Sequence, residues 1–411
     1  MLARLLKSDS LRSAIGFAAG GVGFAVGNIV LARVLTPASF GIVALALALN
    51  QFGLTFGPFG LEVVANRHRP RASRRLGLLA VRSAAITGAI VAIVAAVYYQ
   101  LSAPVVALLF AMVLGSATNR VGVALFQGEH QLSIAMALLQ IHNYVLLLAA
   151  LLAVALSLTS DVFVVTIVAA GYVLSAVVGW WLAHRRLNTG RGEIDARVAL
   201  REGIAALGIG VAVQLLWQFE RLAIPKVGSI EMLGTYAVLA AVAGSPFRMI
   251  QIGTAFSLLP RLRSVANADA ARAVLIRESS TVLLMVVASI VVVLLAAPFV
   301  FNTVLEGKYP VGANLIVASF VVGLAKVWES FSTTVVSACG SPRRMGQISV
   351  FGWLCLAVAV VGVLFGSRFG LVGILYGVGA AWALLAAGGS YLAVLSFRAR
   401  FGASMSAGAA T

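Results

Sequence analysis

Residues 279–301 read SSTVLLMVVASIVVVLLAAPFVF, 23 consecutive positions without a charge. A helix of about 20 such residues, rising 1.5 Å per residue, crosses the roughly 30 Å hydrocarbon core of a bilayer. A helix on the surface of a soluble domain needs only one apolar face, and this segment has no polar face to set against water. Similar runs recur along the chain. Spans are expected near 13–34, 39–62, 78–98, 103–125, 131–156, 162–183, 203–224, 231–259, 279–301, 311–336, 346–366 and 370–394. The composition agrees: of 411 residues, 61% are hydrophobic and 10% are charged, whereas soluble domains are about a quarter charged. The expected fold is therefore all-α, a polytopic membrane protein with about twelve transmembrane helices.

The net charge of +17 would suggest nucleic acid in a soluble protein. Its distribution along the chain excludes that reading. With the N-terminus inside, the cytoplasmic loops and termini hold 23 of the 30 basic residues. One cluster is Arg67, Arg69, Arg71, Arg74, Arg75 and Arg82; another is Arg185, Arg186, Arg191, Arg197 and Arg201. Only Arg33, Lys226, Lys308 and Arg368 fall outside, and Arg221, Arg248 and Lys326 lie within spans. The asymmetry follows the positive-inside rule and places both termini in the cytoplasm. The first apolar segment is too long for a signal-peptide core and is expected to stay as an uncleaved span. Cys339 and Cys355 sit in or beside apolar segments and read as buried free thiols.

The longest polar segment, His184 to Glu202, falls between the sixth and seventh spans. It divides the chain into a six-helix lobe at 1–183, a cytoplasmic linker at 184–202, a second six-helix lobe at 203–397 and a tail at 398–411. Each lobe opens on a similar phrase. Leu31-Ala32-Arg33, Pro37 and Phe40-Gly41-Ile42-Val43-Ala44-Leu45 in the first correspond to Leu222-Ala223-Ile224-Pro225 and Leu233-Gly234-Thr235-Tyr236-Ala237-Val238-Leu239 in the second. Two lobes of the same topology are pseudo-symmetric about the membrane normal, an arrangement found in secondary transporters with a site near the midplane.

Charges inside a span cost roughly 2.5–3.5 kcal/mol each at the centre on insertion scales, so each needs a partner or a purpose. In span seven, Gln214, Trp217, Gln218 and Arg221 are spaced i, i+3, i+4, i+7 and share one helix face. Glu220, adjacent to Arg221, points about 100° away. In span ten, Lys326, Glu329, Ser330, Thr333 and Ser337 lie along one face, and Lys326 and Glu329 are spaced to pair with each other. Span eight offers Ser245, Arg248 and Gln251. Arg33 either faces a cavity or snorkels to the interface. Asn50 and Gln51 are mid-membrane in span two, with Glu62 at its inner end. His142 and Asn143 are central in span five, where the imidazole either relays protons or packs. Arg221, Arg248 and Lys326 outnumber the deep acids Glu220 and Glu329, which favours a cavity that accepts an anion through charge-assisted bonds. No phosphate-binding Gly-Lys-Ser/Thr loop and no paired-histidine metal motif occurs in the sequence. Neither a catalytic residue nor a cofactor or metal is expected.

Taken in order, Leu31-Ala32-Arg33-Val34-Leu35-Thr36-Pro37, Phe40-Gly41, Gly60-Leu61 and Arg67 resemble the opening of the bacterial polysaccharide (O-antigen-type) flippases. Glu220-Arg221 resembles that family's acid–base dipeptide, with Glu where Asp is usual. Leu259-Pro260-Arg261-Leu262, Leu305 to Tyr309 with Ala313-Asn314, and Gly340-Ser341-Pro342-Arg343 resemble its later turns. The family belongs to the superfamily of multidrug-and-toxin (MATE-like) extruders and the lipid II flippase, whose lipid II members typically have fourteen spans against twelve here. The resemblance implies a non-enzymatic transporter in the cytoplasmic (inner) membrane. It would move an undecaprenyl-diphosphate-linked oligosaccharide to the outer leaflet by alternating access, with no nucleic acid among its partners. Implied partners are the lipid-linked glycan, membrane lipid, and the polymerase and glycosyltransferases of the same pathway. Substrate binding would fall to Arg33, Arg221, Arg248, Lys326, Gln214, Gln218, Trp217, Gln251 and Asn50. Glu220, Glu329 and His142 are the ion-coupling candidates. A cation-coupled drug antiporter, a polysaccharide polymerase and a non-transporting assembly partner remain as alternatives.

Overall fold

The computed structural model describes residues 9–187, 192–207 and 211–408, and every described regular element is helical. In chain order these are α1 (Asp9–Val34), α2 (Pro37–Phe56), α3 (Leu61–His68), α4 (Arg74–Ile93), α5 (Ala103–Gly128), α6 (Leu132–Ala155), α7 (Asp161–Arg186) and α8 (Ala196–Leu207). They continue as α9 (Val211–Val227), α10 (Ile230–Leu239), α11 (Ser245–Ser264), α12 (Ala268–Pro298), α13 (Ala313–Cys339), α14 (Pro342–Gly366) and α15 (Gly370–Gly408). A π-helical turn joins α10 to α11, and others extend α4 to Tyr98 and α12 to Val304.

Among the described residues, nine helical stretches are long and apolar enough to cross a membrane. One of these, Pro342–Phe401, is two helices, because Gly370 at φ +65° breaks it after Gly366. With the apolar part of α1, Ala19–Val34, and α9 as the remaining candidate, the described residues are consistent with about twelve spans. The side chains fit a lipid surround. On α12, Leu284 and Leu295 are 71% and 76% exposed, a surface that soluble proteins do not leave bare.

The chain divides into two compact units, residues 1–208 with 229–237, and residues 209–228 with 238–411. In the first, α1 packs on α6, and α5 packs on α2, α3, α4 and α7. Its core toward the arginine-rich turns joins Leu61, Leu76, Phe126, Leu138 and Ala199. In the second unit α15 packs on α13 and α14, α11 on α13, and α9 on α14 and α15. Leu258, Leu262, Val336, Ile348 and Phe401 form the matching core there.

Two span boundaries differ from expectation. The second span was expected to run to residue 62, but α2 ends at Phe56 and Glu62 sits on the separate helix α3. Gly60 causes the break: its φ of +75° is left-handed, which L-residues with a Cβ rarely adopt. A Cβ there would also lie 2.0 Å from the Gly203 carbonyl oxygen, so α3 and α8 meet backbone to backbone. We expect Gly60→Ala to lower stability by about 1–3 kcal/mol through strain and overlap, read as a lower melting temperature in detergent.

The seventh span, expected over 203–224, begins earlier: its described parts are α8, from Ala196 to Leu207, and α9, from Val211 to Val227, while 208–210 lie outside the described residues. The segment expected as a polar linker therefore carries most of α8. That helix docks through Ala199 and Gly203, with His68 bonded to Glu202 at 2.7 Å. Arg191 of the basic cluster is also outside the described residues.

Within the first unit, the two repeated phrases touch each other. A Cβ on Gly41 of α2 would lie 2.0 Å from the Ile230 carbonyl oxygen, and one on Gly234 of α10 would lie 2.3 Å from that of Pro37. Each repeat's glycine thus receives the first turn of the other repeat's helix.

Candidate functional site

The candidate site is built in the second unit, where α9, α13 and α15 meet. Lys326 on α13 is 13% exposed and Glu220 on α9 only 1%, and the two form an ion pair. Trp217, one turn before Glu220, and Trp382 of α15 place their rings 5.4 and 5.2 Å from the Lys326 ammonium. The two indoles meet edge to face at 5.2 Å. A desolvated ammonium between two rings gains cation–π stabilisation in addition to its ion pair. Trp382 is fully buried and was not foreseen as a site residue.

The expected Lys326–Glu329 pair is corrected by this geometry, since the lysine bonds Glu220 instead. Glu329, on the same face one turn along α13, lines a cavity of about 300 Å³ with Trp217, Ser330, Thr333, Thr334 and Ser337. The polar face read from span ten is therefore real beyond Lys326. Ser330 also donates to the Gln251 carbonyl oxygen at 3.3 Å, linking α13 to α11.

The face expected for span seven needs a second correction. The buried stripe of α9 is Ala212, Leu216, Glu220 and Ile224, one residue per turn against α14 and α15. Gln214 is exposed, and Trp217, Gln218 and Arg221 flank the buried stripe half-buried. The acid is thus the inward group, while the four-residue face borders the packing. Gln218 Oε1 is buried without a hydrogen-bond partner among the described residues. On α11, Gln251 is buried and Arg248 exposed, so these two candidates do not share an environment.

Arg33, Asn50 and His142 belong to the first unit. Arg33 is exposed in the last turn of α1. Asn50 is fully buried; its Oδ1 accepts from Ser116 at 2.9 Å, and its Nδ2 has no partner among the described residues. His142 stacks on Tyr172 at 5.6 Å with the rings 11° apart, a packing contact.

A further buried acid lay beyond the expected spans. Glu278 on α12, 6% exposed, takes an ion pair from Arg261 and a hydrogen bond from Ser257 at 3.2 Å. The helices α11 and α12 continue past the expected ends at 259 and 279, so these polar residues are helical rather than in a loop. Among the described residues no group of three potential metal ligands converges.

A family model described as "Polysaccharide biosynthesis protein" matches residues 12–266. The chain belongs to that family. Among solved structures, the chain is similar to an inward-facing multidrug resistance MATE family transporter of the MOP superfamily. The identity is 16%, the TM-score is 0.65, and 93% of this chain and 95% of that one are covered. The outward-facing form of such a transporter aligns at 15% identity and TM-score 0.56, over 97% and 98% of the two chains. The lipid II flippase MurJ in an inward closed conformation aligns at 9% identity and TM-score 0.57, over 94% and 87%. No curated protein matches the sequence. The family model thus places the chain in a polysaccharide-biosynthesis family, and the solved structures show a MATE-like fold.

Proposed function

We propose that this protein is a flippase for a lipid-linked oligosaccharide, carrying an undecaprenyl-diphosphate-linked glycan from the inner to the outer leaflet by alternating access. The observation that carries this reading is one chain combining a polysaccharide-biosynthesis family match with a MATE-like exporter fold. A pathway that builds a glycan on a lipid facing the cytoplasm needs a step that moves the charged headgroup through the bilayer, and a polytopic helical protein suits that step.

The diphosphate is the costly part of such a substrate, since isolated charges are strongly disfavoured in low dielectric. Arg221, Arg248 and Arg33 are our candidates for meeting it, with Gln214, Gln218, Gln251, Asn50 and Trp217 as polar and aromatic lining. Lys326 already has a counter-charge in Glu220. Its use would therefore be by exchange: an arriving phosphate takes the ammonium from Glu220. A ligand shifts a conformational equilibrium only by its differential affinity for the two states, and such an exchange is a differential interaction. Glu220 and Glu329 are the acids through which an ion gradient would enter, with His142 as a further titratable candidate. Both termini are proposed to be cytoplasmic, from the charge asymmetry. Pathway glycosyltransferases and a polymerase are the proposed protein partners.

The antiporter reading has the MATE fold similarity in its favour, but a site that expels cations should carry surplus acid rather than Arg and Lys. Cells lacking the protein test the choice. Lipid-linked oligosaccharide should accumulate, wild type should clear it, and Arg221→Ala with Arg248→Ala should clear it at least tenfold more slowly, as expected for losing about 1.4 kcal/mol or more of charge-assisted binding. A normal lipid-linked pool in those cells would move the antiporter ahead.

A further inference from the structure

The geometry points to a binding groove for an anionic phospholipid on the first unit, between the arginine-bearing ends of α4 and α7. A cleft of about 500 Å³ runs along these helices. Its mouth carries Arg74 in the first turn of α4 and Arg185 in the last turn of α7. Its walls are Leu78, Val81, Trp180 and Trp181, and its floor is Gly77 with Thr118 of α5.

The cleft is a built feature. Trp180 is fixed by donating Nε1–H to the Thr118 carbonyl oxygen at 3.0 Å. The Arg185 guanidinium lies 4.2 Å over the Trp181 ring, which holds it at the rim. His184 Nδ1 is 3.2 Å from the Ala72 carbonyl oxygen, tying the end of α7 to the turn before α4. Gly77 presents no side chain, and even a Cβ there would only reach contact distance, 3.5 Å, from the Trp180 ring. The glycine therefore leaves the groove open.

Charge and polarity are ordered along the cleft. Both arginines sit at one end, and no acid among the described residues lines it. Arg74 and Arg185 make no ion pair among the described residues. The N-terminus of α4, capped by Ser73, adds the positive end of a helix dipole at the same place. Leu78 and Val81 lie one and two turns further along α4, about 6 and 10 Å from Arg74 at roughly 1.5 Å per residue. They are 45% and 41% exposed, with Trp181 beside them at 51%. A phosphate at the arginines with an acyl chain against Leu78, Val81 and Trp181 matches this order. Basic pockets between transmembrane helices are the usual seat of anionic lipid headgroups, and tryptophans lie at headgroup depth. An acyl chain gives the apolar stretch an occupant that a free phosphate cannot.

The test uses the purified full chain, delipidated in detergent, with bound phosphatidylglycerol, phosphatidylcholine and inorganic phosphate each counted by native mass spectrometry. Phosphatidylglycerol is expected to bind at least tenfold more tightly than phosphatidylcholine. Arg74→Gln with Arg185→Gln should weaken it about thirtyfold, the effect of two basic residues at an anionic surface. Gly77→Leu, which fills the floor and keeps both arginines, should weaken it similarly, so the result does not depend on one variant folding. Arg343→Gln with Arg344→Gln, removing two charges elsewhere, should leave binding unchanged. Equal retention of phosphatidylcholine, unaltered binding by the two groove variants, or displacement of the lipid by millimolar inorganic phosphate would each overturn the proposal.

Discussion

Lys326→Ala is expected to lower the stability of the second unit by about 3–5 kcal/mol and to abolish transport. The lysine is the counter-charge of Glu220, which is 1% exposed. Removing one partner of a buried pair leaves the other charge uncompensated, and that, more than the lost attraction, sets the size of the effect. The aromatic contacts of the ammonium with Trp217 and Trp382 disappear with it. Replacing both partners should behave differently. Lys326→Met with Glu220→Gln keeps the volume and removes both charges, so most of the melting temperature should return. Transport should not return, because the exchange of the Lys326 ammonium from Glu220 to a phosphate is lost. A double variant that melts like wild type and also transports would show the pair to be structural only.

Gly41→Ala is the second large effect, about 3 kcal/mol of destabilisation. The new Cβ would sit 2.0 Å from the Ile230 carbonyl oxygen, an overlap with backbone that no rotamer change relieves. Gly234→Ala meets the Pro37 carbonyl oxygen at 2.3 Å and should cost a similar amount. Because each glycine accommodates the other repeat's first turn, the two effects should be less than additive in the double variant. Gly253→Ala serves as the control. It is also helical but has nothing within 4 Å of its would-be Cβ. There the gain in helix propensity, about 1 kcal/mol, should leave the protein as stable as wild type or slightly more so. Thermal unfolding of the four variants and wild type in one detergent checks the set. Equal losses at Gly41 and Gly253 would mean that the close approach does not govern stability.

Much of the fold was legible because lipid imposes a one-dimensional rule. A run such as 279–301 must be a span whatever it packs against, and the expected ranges locate the helices to within a turn or so at most ends. Legibility failed where a single backbone position overrides hydropathy. Residues 57–62 are apolar enough to continue a span, yet the left-handed Gly60 starts a new helix. The docking of α8 was hidden for the same reason, since Gly203 against Gly60 is a backbone contact without a side-chain signature.

The site was legible in its residue types but not in their pairing. Helical spacing correctly groups Glu329, Ser330, Thr333 and Ser337, because neighbours on one helix face are fixed locally. It also suggests Lys326 with Glu329, the nearest opposite charges. The actual partner, Glu220, is 106 residues away and is chosen by how α9 and α13 pack. Trp382 had no polar neighbour in sequence to mark it; it matters only because α15 brings its ring to Lys326. Span seven shows the limit of a periodicity argument. Two faces of α9 each carry polar residues, and the stripe containing Glu220 is the buried one.

The proposed activity is movement of a lipid-linked glycan across the bilayer. Its most direct test is translocation in proteoliposomes. Undecaprenyl-diphosphate-linked oligosaccharide with a fluorescent sugar is reconstituted into both leaflets, and the outward fraction is followed by an externally added glycosidase. Wild-type protein should render essentially all of the labelled lipid cleavable, whereas liposomes containing the Lys326→Met, Glu220→Gln variant should stop near half. A wild-type protein that leaves half of the label protected, yet exchanges organic cations for protons in the same vesicles, would contradict the account.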